Sequence, residues 1–213
     1  ASRGLGDVYK RQGGREHAIG WKFAEDFKRK QEKVDLFFVP GNAGTAKLGE
    51  NIALNSITEM KDFALENKID LTFVGPEAEL AEGIVDLFQA NHLPIFGPHR
   101  EAAKLESSKA FAKDFMHKYG VKTAEYKVFQ GPMLAIEYLE KASFPIVIKA
   151  SGLAAGKGVI ICQDFDQAKK AVLEIMEDKT FGDAGNEVVI EEYLEGFEAS
   201  ILLSLIHISE PTR

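Results

Sequence analysis

The sequence is poor in cysteine. Cys162 is the single one in 213 residues, which excludes an internal disulfide and suits a reducing compartment. It follows the apolar run Val159-Ile160-Ile161 with no base beside it, and reads as a core residue rather than a reactive thiol. Long apolar runs are missing as well, and none reaches the length that spans a bilayer. Nor is there an excess of positive charge. The 33 acids outnumber the 26 bases, and the net charge of −7 argues against a nucleic-acid or anionic-membrane partner. A small anionic ligand is still allowed, because it needs only a local cluster of donors. No signal peptide, internal repeat or low-complexity tract is read. What is there, 45% hydrophobic and 28% charged residues, is globular composition sufficient for one or two domains.

The two ends are unlike the middle. Residues 1–12 (ASRGLGDVYKRQ) have neither a helical nor a strand period, and the end from about Leu202 reads LLSLIHISEPTR. Both resemble translated adapter or vector sequence. They are expected to be non-native tails, 1–12 and 202–213, around a protein running from about Gly13 to Ile201.

Between them the pattern is regular. Gly13-Gly14 opens an amphipathic helix, Arg15 to about Arg29. Val34 to Val39 has strand composition and ends at Pro40-Gly41-Asn42. Thr58 to Asn67 reads as a helix that Thr58 would cap. Ile69 to Val74 is a strand closed by Gly75-Pro76, Glu77 to Asn91 a helix, and Pro94 to Phe96 a short strand closed by Gly97-Pro98. Strands alternating with helices at this spacing predict a parallel sheet covered on both faces, a Rossmann-like α/β first domain over 13–106. Beyond it, Ser107 to Tyr119 reads as a helix capped by Ser107 or Ser108 and stopped by Gly120. Strands at Tyr126–Phe129, Pro145–Lys149, Val159–Cys162 and Glu187–Ile190 and helices at Pro132–Lys141 and Asp164–Asp178 follow, forming a second unit over 107–201.

The chemistry concentrates between two of those strands. Lys149 ends one, and a loop with Gly152, Gly156 and Gly158 leads straight into the next. Glycines let the backbone approach an anion and point successive N–H groups at it, while Lys149 and Lys157 add positive charge. Because the loop joins strand to strand, it reads as a flap over phosphates rather than a helix-terminus site. Alone it also fits a plain Gly-rich hairpin turn. Val188 to Glu198 is a buried strand breaking into an acidic turn. A strand turning outward offers adenine a backbone acceptor and donor, and Glu198 could hold ribose hydroxyls. Alone this stretch reads as a solvated acidic turn.

Together with the Ser107-Ser108-Lys109 helix, these pieces resemble the ATP-grasp superfamily, in which two α+β lobes hold ATP beneath a Gly-rich flap. The resemblance implies that Lys109 and Lys149 contact the phosphates and that Gly152, Leu153, Ala154, Ala155, Gly156, Lys157 and Gly158 form the flap. It implies that Glu191, Glu192, Tyr193 and Leu194 hold adenine through the linker, and that Glu198 holds the ribose. It makes 107–201 the first part of an ATP-grasp α+β domain.

Five ordered stretches narrow the resemblance: Gly13-Gly14-Arg15-Glu16-His17-Ala18, Pro40-Gly41-Asn42-Ala43-Gly44-Thr45, Val74-Gly75-Pro76-Glu77-Ala78, Leu105 to Lys113, and Lys149 to Val159. They are similar to the signature loops of the glycinamide ribonucleotide synthetases (phosphoribosylamine–glycine ligases) over about Gly13 to Ser200. The implied reaction joins glycine to phosphoribosylamine with ATP, through a glycyl phosphate, in purine biosynthesis. The implied substrate-binding residues are Gly13, Gly14, Arg15, Glu16, Pro40, Gly41, Asn42, Gly75, Pro76 and Glu77. Physics agrees: a Gly-Gly helix start would present free N–H groups to a phosphate, Arg15 would add a donor fork, and the other loops follow strand ends, where open α/β sheets bind ligands. His17 reads as a packing or capping residue rather than a catalytic one. No catalytic residue is identified within the chain.

The implied cofactors are ATP and Mg²⁺ (or Mn²⁺), with the metal ligands expected beyond the end of the chain. The implied partners are small molecules only, with no nucleic acid and no membrane, for a monomer in the cytoplasm. Three departures from the family stand out. The strand that should precede Gly13 is replaced by ASRGLGDVYKRQ, so a central strand is expected to be absent or replaced by a poor substitute such as Gly6 to Tyr9. Ser151 stands where many bacterial members have aspartate. The metal and glycine sites are not reached, so no ligase turnover is expected from this chain alone. The rival readings are another ATP-grasp carboxylate–amine ligase or carboxylase, a non-catalytic nucleotide-binding fragment, and a dinucleotide oxidoreductase. The last requires a Gly-x-Gly-x-x-Gly turn that Gly13 to Ala18 does not supply.

Overall fold

The computed structural model describes residues 5–154, 156–197 and 199, with side chains from Gly14 onward. The chain is α/β. A long helix, α1 (Leu5–Lys30), comes first. β1 (Phe37–Phe38) pairs in parallel with β2 (Glu50–Asn51), with a 3-10 turn at Thr45–Lys47 between them. After α2 (Ile57–Glu66), β3 (Thr72–Phe73) pairs in parallel with β4 (Ile95–Phe96), and α3 (Glu77–Glu82) and α4 (Ile84–Ala90) connect them. Two helices, α5 (Arg100–Ser107) and α6 (Lys109–Lys118), lead to β5 (Tyr126–Phe129), α7 (Pro132–Leu139), β6 (Ile146–Ala150), β7 (Val159–Cys162), α8 (Phe165–Met176), a 3-10 turn at Gly182–Asn186, and β8 (Val188–Glu192).

Several sequence expectations need correction. α1 begins at Leu5, so Gly13 and Gly14 lie inside the helix and their amides are not free donors at its start. The expected helix Glu77–Asn91 is two helices, because Gly83 takes φ +100° and breaks the ladder there. The cap of α2 is Ser56, not Thr58: the Ser56 hydroxyl accepts the Glu59 amide, and the Glu59 carboxylate accepts the Asn55 amide in return. The expected single parallel sheet is present as two separate parallel pairs among the described residues. Each strand of those pairs is two residues long, and Phe73 and Phe96 stay exposed. The core beneath them, built on Ala64, Ile84, Val85 and Phe88, draws mainly on α2 and α4.

The second part has the stronger core. Its sheet is antiparallel, in the order β5-β8-β6-β7. β6 alternates strictly: Ile146, Ile148 and Ala150 are buried against α7 and α8, together with Val172, Ile175, Val188 and Ile190. Fully burying each such aliphatic side chain contributes about 1.5–3 kcal/mol. Truncating Ile148, which has no exposed surface, to Ala would cost about 2–5 kcal/mol. The same alternation sends Lys149 to the opposite face. Val189 and Glu191 of β8 share that face, since Lys149 pairs with Val189. The sheet therefore has one apolar face closed by helices and one face on which charge is gathered.

Candidate functional site

The Gly-rich loop is a hairpin between β6 and β7. The Ala150 amide donates to the Gly158 carbonyl at 2.8 Å, and the Lys157 amide to the Ala154 carbonyl at 2.9 Å. Gly156 completes the turn at φ +75°, in the left-handed region that glycine adopts without strain. Gly152 sits where the loop leaves the sheet, and a Cβ there would fall 2.6 Å from the Ala184 Cα. Leu153 and Lys157 are exposed on the hairpin. Ala155 lies outside the described residues.

Ser151 ties the base of the hairpin to the start of α6. Its carbonyl accepts the Lys109 amide at 2.7 Å, and its hydroxyl accepts the Ala110 amide at 3.1 Å. Ser108 caps the same helix by accepting the Phe111 amide. Two of the helix's orphan donors are thus satisfied from a different part of the chain. The Lys109 ammonium donates to the Gly152 carbonyl at 3.0 Å. Burial, first, and the charge of Lys149, second, push the Lys109 ammonium below the ordinary lysine range. Lys109 thus sits at the base of the Gly-rich hairpin within the field of Lys149, an arrangement chemically suited to an anion. An open cleft of about 470 Å³ beside it is lined by Ser108, Gln130, Ser151, Gly152, Asp183, Ala184, Asn186 and Glu187.

Lys149 is paired through Glu191. The Glu191 carboxylate oxygen Oε2 lies 2.8 Å from the Lys149 ammonium and 3.0 Å from the Lys113 ammonium. Glu191 is only 5% exposed, and its other oxygen, Oε1, is buried without a partner. Glu192 is engaged elsewhere: its carboxylate accepts the Glu125 amide and its amide donates to the Glu125 carbonyl, both at 3.0 Å. Its side chain is thus spent on holding β8 to the chain before β5. Tyr193 and Leu194 follow the last strand residue and are exposed, as an outward-turning linker requires. Glu198 lies outside the described residues.

The first part gathers a second group of loops. Arg15 of α1 lies 3.6 Å from Glu77, at the start of α3. The next residue, Glu16, rests against Gly75, where a Cβ would fall 2.6 Å from its Oε1. Both Glu16 oxygens are buried without a partner. His17 faces Gly44. Gly41-Asn42 is held by Asn51, which donates to the Asn42 carbonyl at 2.8 Å and accepts from the buried Thr45 hydroxyl at 2.8 Å. Pro76, with extended backbone, precedes the first turn of α3. Arg15, Glu16, Gly75, Pro76 and Glu77 therefore converge, with the Pro40-Gly41-Asn42 loop reached through His17. Gly14 does not join them, since a Cβ there would meet nothing within 4 Å.

Sequence reasoning missed three residues that hold these loops: Ser151, Lys113 and Asn51. A signal existed for Lys113, which follows Ala110 by three residues and so shares its buried helix face. Ser151 acts across the fold, while Asn51 closes its own loop onto Thr45 and Asn42, and neither residue type marks such a bond in the sequence. Among the described residues no three His, Cys, Asp or Glu side chains cluster as metal ligands, and no helix is long and apolar enough to cross a membrane.

Comparison with known proteins is consistent with this geometry. The family model for the phosphoribosylglycinamide synthetase N domain matches residues 11–106, and that for the ATP-grasp (A) domain of the same family matches residues 107–207. The chain is 53% identical over 192 residues to the phosphoribosylamine–glycine ligase of Clostridium acetobutylicum, covering 89% of this chain and 45% of that one. It is 50% identical to that of Escherichia coli K12, covering 90% and 44%. The solved phosphoribosylamine–glycine ligase of Thermotoga maritima superposes with a TM-score of 0.69 at 36% identity, over 87% of this chain and 43% of that one. A biotin carboxylase from Campylobacter jejuni, 19% identical, shares the fold with a TM-score of 0.66 over 83% and 43%. The chain spans less than half the length of the curated relatives it matches. With the two family models covering consecutive stretches from residue 11 to residue 207, the chain belongs to the phosphoribosylglycinamide synthetase family.

Proposed function

We propose that this chain carries the nucleotide and phosphoribosylamine contact surfaces of a phosphoribosylamine–glycine ligase acting in purine biosynthesis. The reading divides it into a phosphoribosylamine-binding part, 13–106, and the first part of an ATP-grasp domain, 107–201. In the whole protein, a carboxylate oxygen of glycine attacks the γ-phosphorus of ATP and ADP leaves, giving glycyl phosphate. The amine of 5-phosphoribosylamine then attacks the acyl carbon, phosphate departs, and the amine loses a proton. The products are glycinamide ribonucleotide, ADP and phosphate.

This chain's residues would bind and orient. Lys109 and Lys149 neutralise the phosphates beneath the Gly152–Gly158 flap, which is the larger part of such catalysis; the Gly152 and Lys157 amides are already bonded within the protein, to the Ala184 and Ala154 carbonyls. The linker from Glu191 to Leu194 takes the adenine, and Glu198 the ribose. Arg15, Glu16 and the loops at Pro40–Asn42 and Gly75–Glu77 take phosphoribosylamine. Mg²⁺ (or Mn²⁺) would screen the phosphates in the whole protein, its ligands assigned to family sequence beyond these residues. The same reading gives a cytoplasmic monomer working on small molecules, with no nucleic-acid or membrane partner.

The observation that carries the reading is that Lys109 rests on the Gly152 carbonyl, at the base of a hairpin that Ser151 ties to the start of α6 and that Lys149 enters. Calorimetric titration with ADP tests it. Binding that is lost on replacing both lysines with methionine is expected, and no ADP binding by the unaltered chain would overturn it.

A further inference from the structure

We propose that Lys113 is a positioning residue that releases Lys149 from Glu191 to a bound phosphate, an inference resting on the nucleotide site proposed above. Two ammonium groups share one carboxylate oxygen, so the cluster of Lys113, Lys149 and Glu191 holds one positive charge in excess. Its members are not equivalent. The Lys113 and Glu191 side chains are 8% and 5% exposed, whereas that of Lys149 is 26% exposed, so Lys149 is the member of the cluster open to an arriving anion. Lys113 is fixed in place: it donates to the Thr123 hydroxyl at 2.7 Å and to the Ala124 carbonyl at 3.4 Å, and lies against the Tyr126 ring.

The asymmetry decides what happens when an anion arrives. If Lys149 moves to a phosphate, Glu191 keeps Lys113 as its counter-ion, and the buried group left behind is a neutral one-to-one pair. Without Lys113 the same movement would strand a buried carboxylate whose other oxygen already has no partner. That cost would hold Lys149 on Glu191. Lys113 thus acts on the phosphate through Glu191 and Lys149 without touching it.

Calorimetry on the full chain with ADP and with adenosine, which lacks phosphates, tests this in Lys113→Met and in the Lys113→Met/Glu191→Gln pair. Lys113→Met is expected to weaken ADP by about tenfold or more while adenosine changes by less than about twofold, the size of one displaced buried charge pair. The paired variant is expected to recover ADP binding, because no carboxylate then retains Lys149. A purely structural Lys113 would weaken ADP and adenosine alike, or show no recovery, and either result overturns the inference. If a thermal melt shows Lys113→Met unfolded, Glu191→Gln is compared with the paired variant. Their ADP-to-adenosine affinity ratios should both equal or exceed that of the unaltered chain, and a lower ratio overturns the inference. ADP affinity unchanged in a folded Lys113→Met overturns this inference alone. ADP unbound by the unaltered chain overturns the proposed function with it.

Discussion

Ser151 and Lys109, far apart in sequence, are joined backbone to backbone at 2.7 Å. The bond fixes the start of α6 against the end of β6, so one residue sets the spacing of the two lysines proposed to meet phosphate. The Ser151 hydroxyl adds the bond to Ala110 that makes it a helix cap supplied by another strand. Replacing Ser151 with Ala should cost about 1 kcal/mol, the worth of a lost cap. Ser151→Asp should retain it, since a carboxylate accepts the same amide and favours a helix N-terminus. Urea unfolding midpoints of the two variants check this, and an Ala variant as stable as the parent would show that the hydroxyl bond contributes nothing.

Gly152 is required for space. Its added methyl would lie 2.6 Å from the Ala184 Cα and 2.9 Å from its Cβ, and backbone cannot step aside as a long side chain can. Gly152→Ala should therefore destabilise the chain by about 1–3 kcal/mol through overpacking. It should also displace the carbonyl on which Lys109 rests. ADP affinity measured alongside the unfolding midpoint should fall together with it.

Glu16 has two buried oxygens without partners, against the backbone of Gly75. An unmet buried acceptor costs about 1–3 kcal/mol. Glu16→Gln removes the unpaired buried charge and should raise the unfolding free energy of the unliganded chain. The same substitution should weaken binding of ribose 5-phosphate, used as a probe for phosphoribosylamine, if the carboxylate is held there for a ligand. A Gln variant less stable than the parent would show that Glu16 already has a partner.

Lys109 carries a pH signature. In the unfolded chain its ammonium titrates near 10.5, and in the folded chain burial and then Lys149 lower that value. Between the lowered value and 10.5 the unfolded chain binds more protons, so this residue makes stability rise with pH across that window. ADP affinity should run the other way, because the phosphates need the charged form. Lys109→Met should flatten both trends, and parallel urea and ADP titrations through the alkaline range would reveal it.

Much of the second part was legible in the sequence because its signals are local. Asp164 caps α8, β6 alternates, and Gly156 sits at a turn only glycine fits without strain. Ser108 was one of two serines proposed to cap α6, and it is the one that does. The first part was read less well. Its strands are two residues long, so composition over six residues overstated them, and β2 has no apolar pattern at all. The Gly-Gly-Arg-Glu stretch has the composition of a helix start, yet in the fold its contribution comes from Arg15 and Glu16 on a helix already under way. Contacts between distant segments, such as Ser151 with Ala110 or Lys149 with Glu191, depend on register and topology and leave no mark at either position.

The two kinds of sheet give the chain two tempos of opening. β6 is hydrogen-bonded on both edges and buried on one face, so its amides should exchange with solvent only when the whole second part unfolds. Among the described residues the paired dipeptides at Phe37–Phe38 and Thr72–Phe73 have no such flanking, and their amides should exchange through small local openings. The lysines assigned to nucleotide thus stand on a scaffold that breathes slowly, and the loops assigned to the sugar phosphate stand on one that breathes fast. Ligand-induced protection from exchange should accordingly be large at Gly41–Thr45 and Gly75–Glu77 and small along β6.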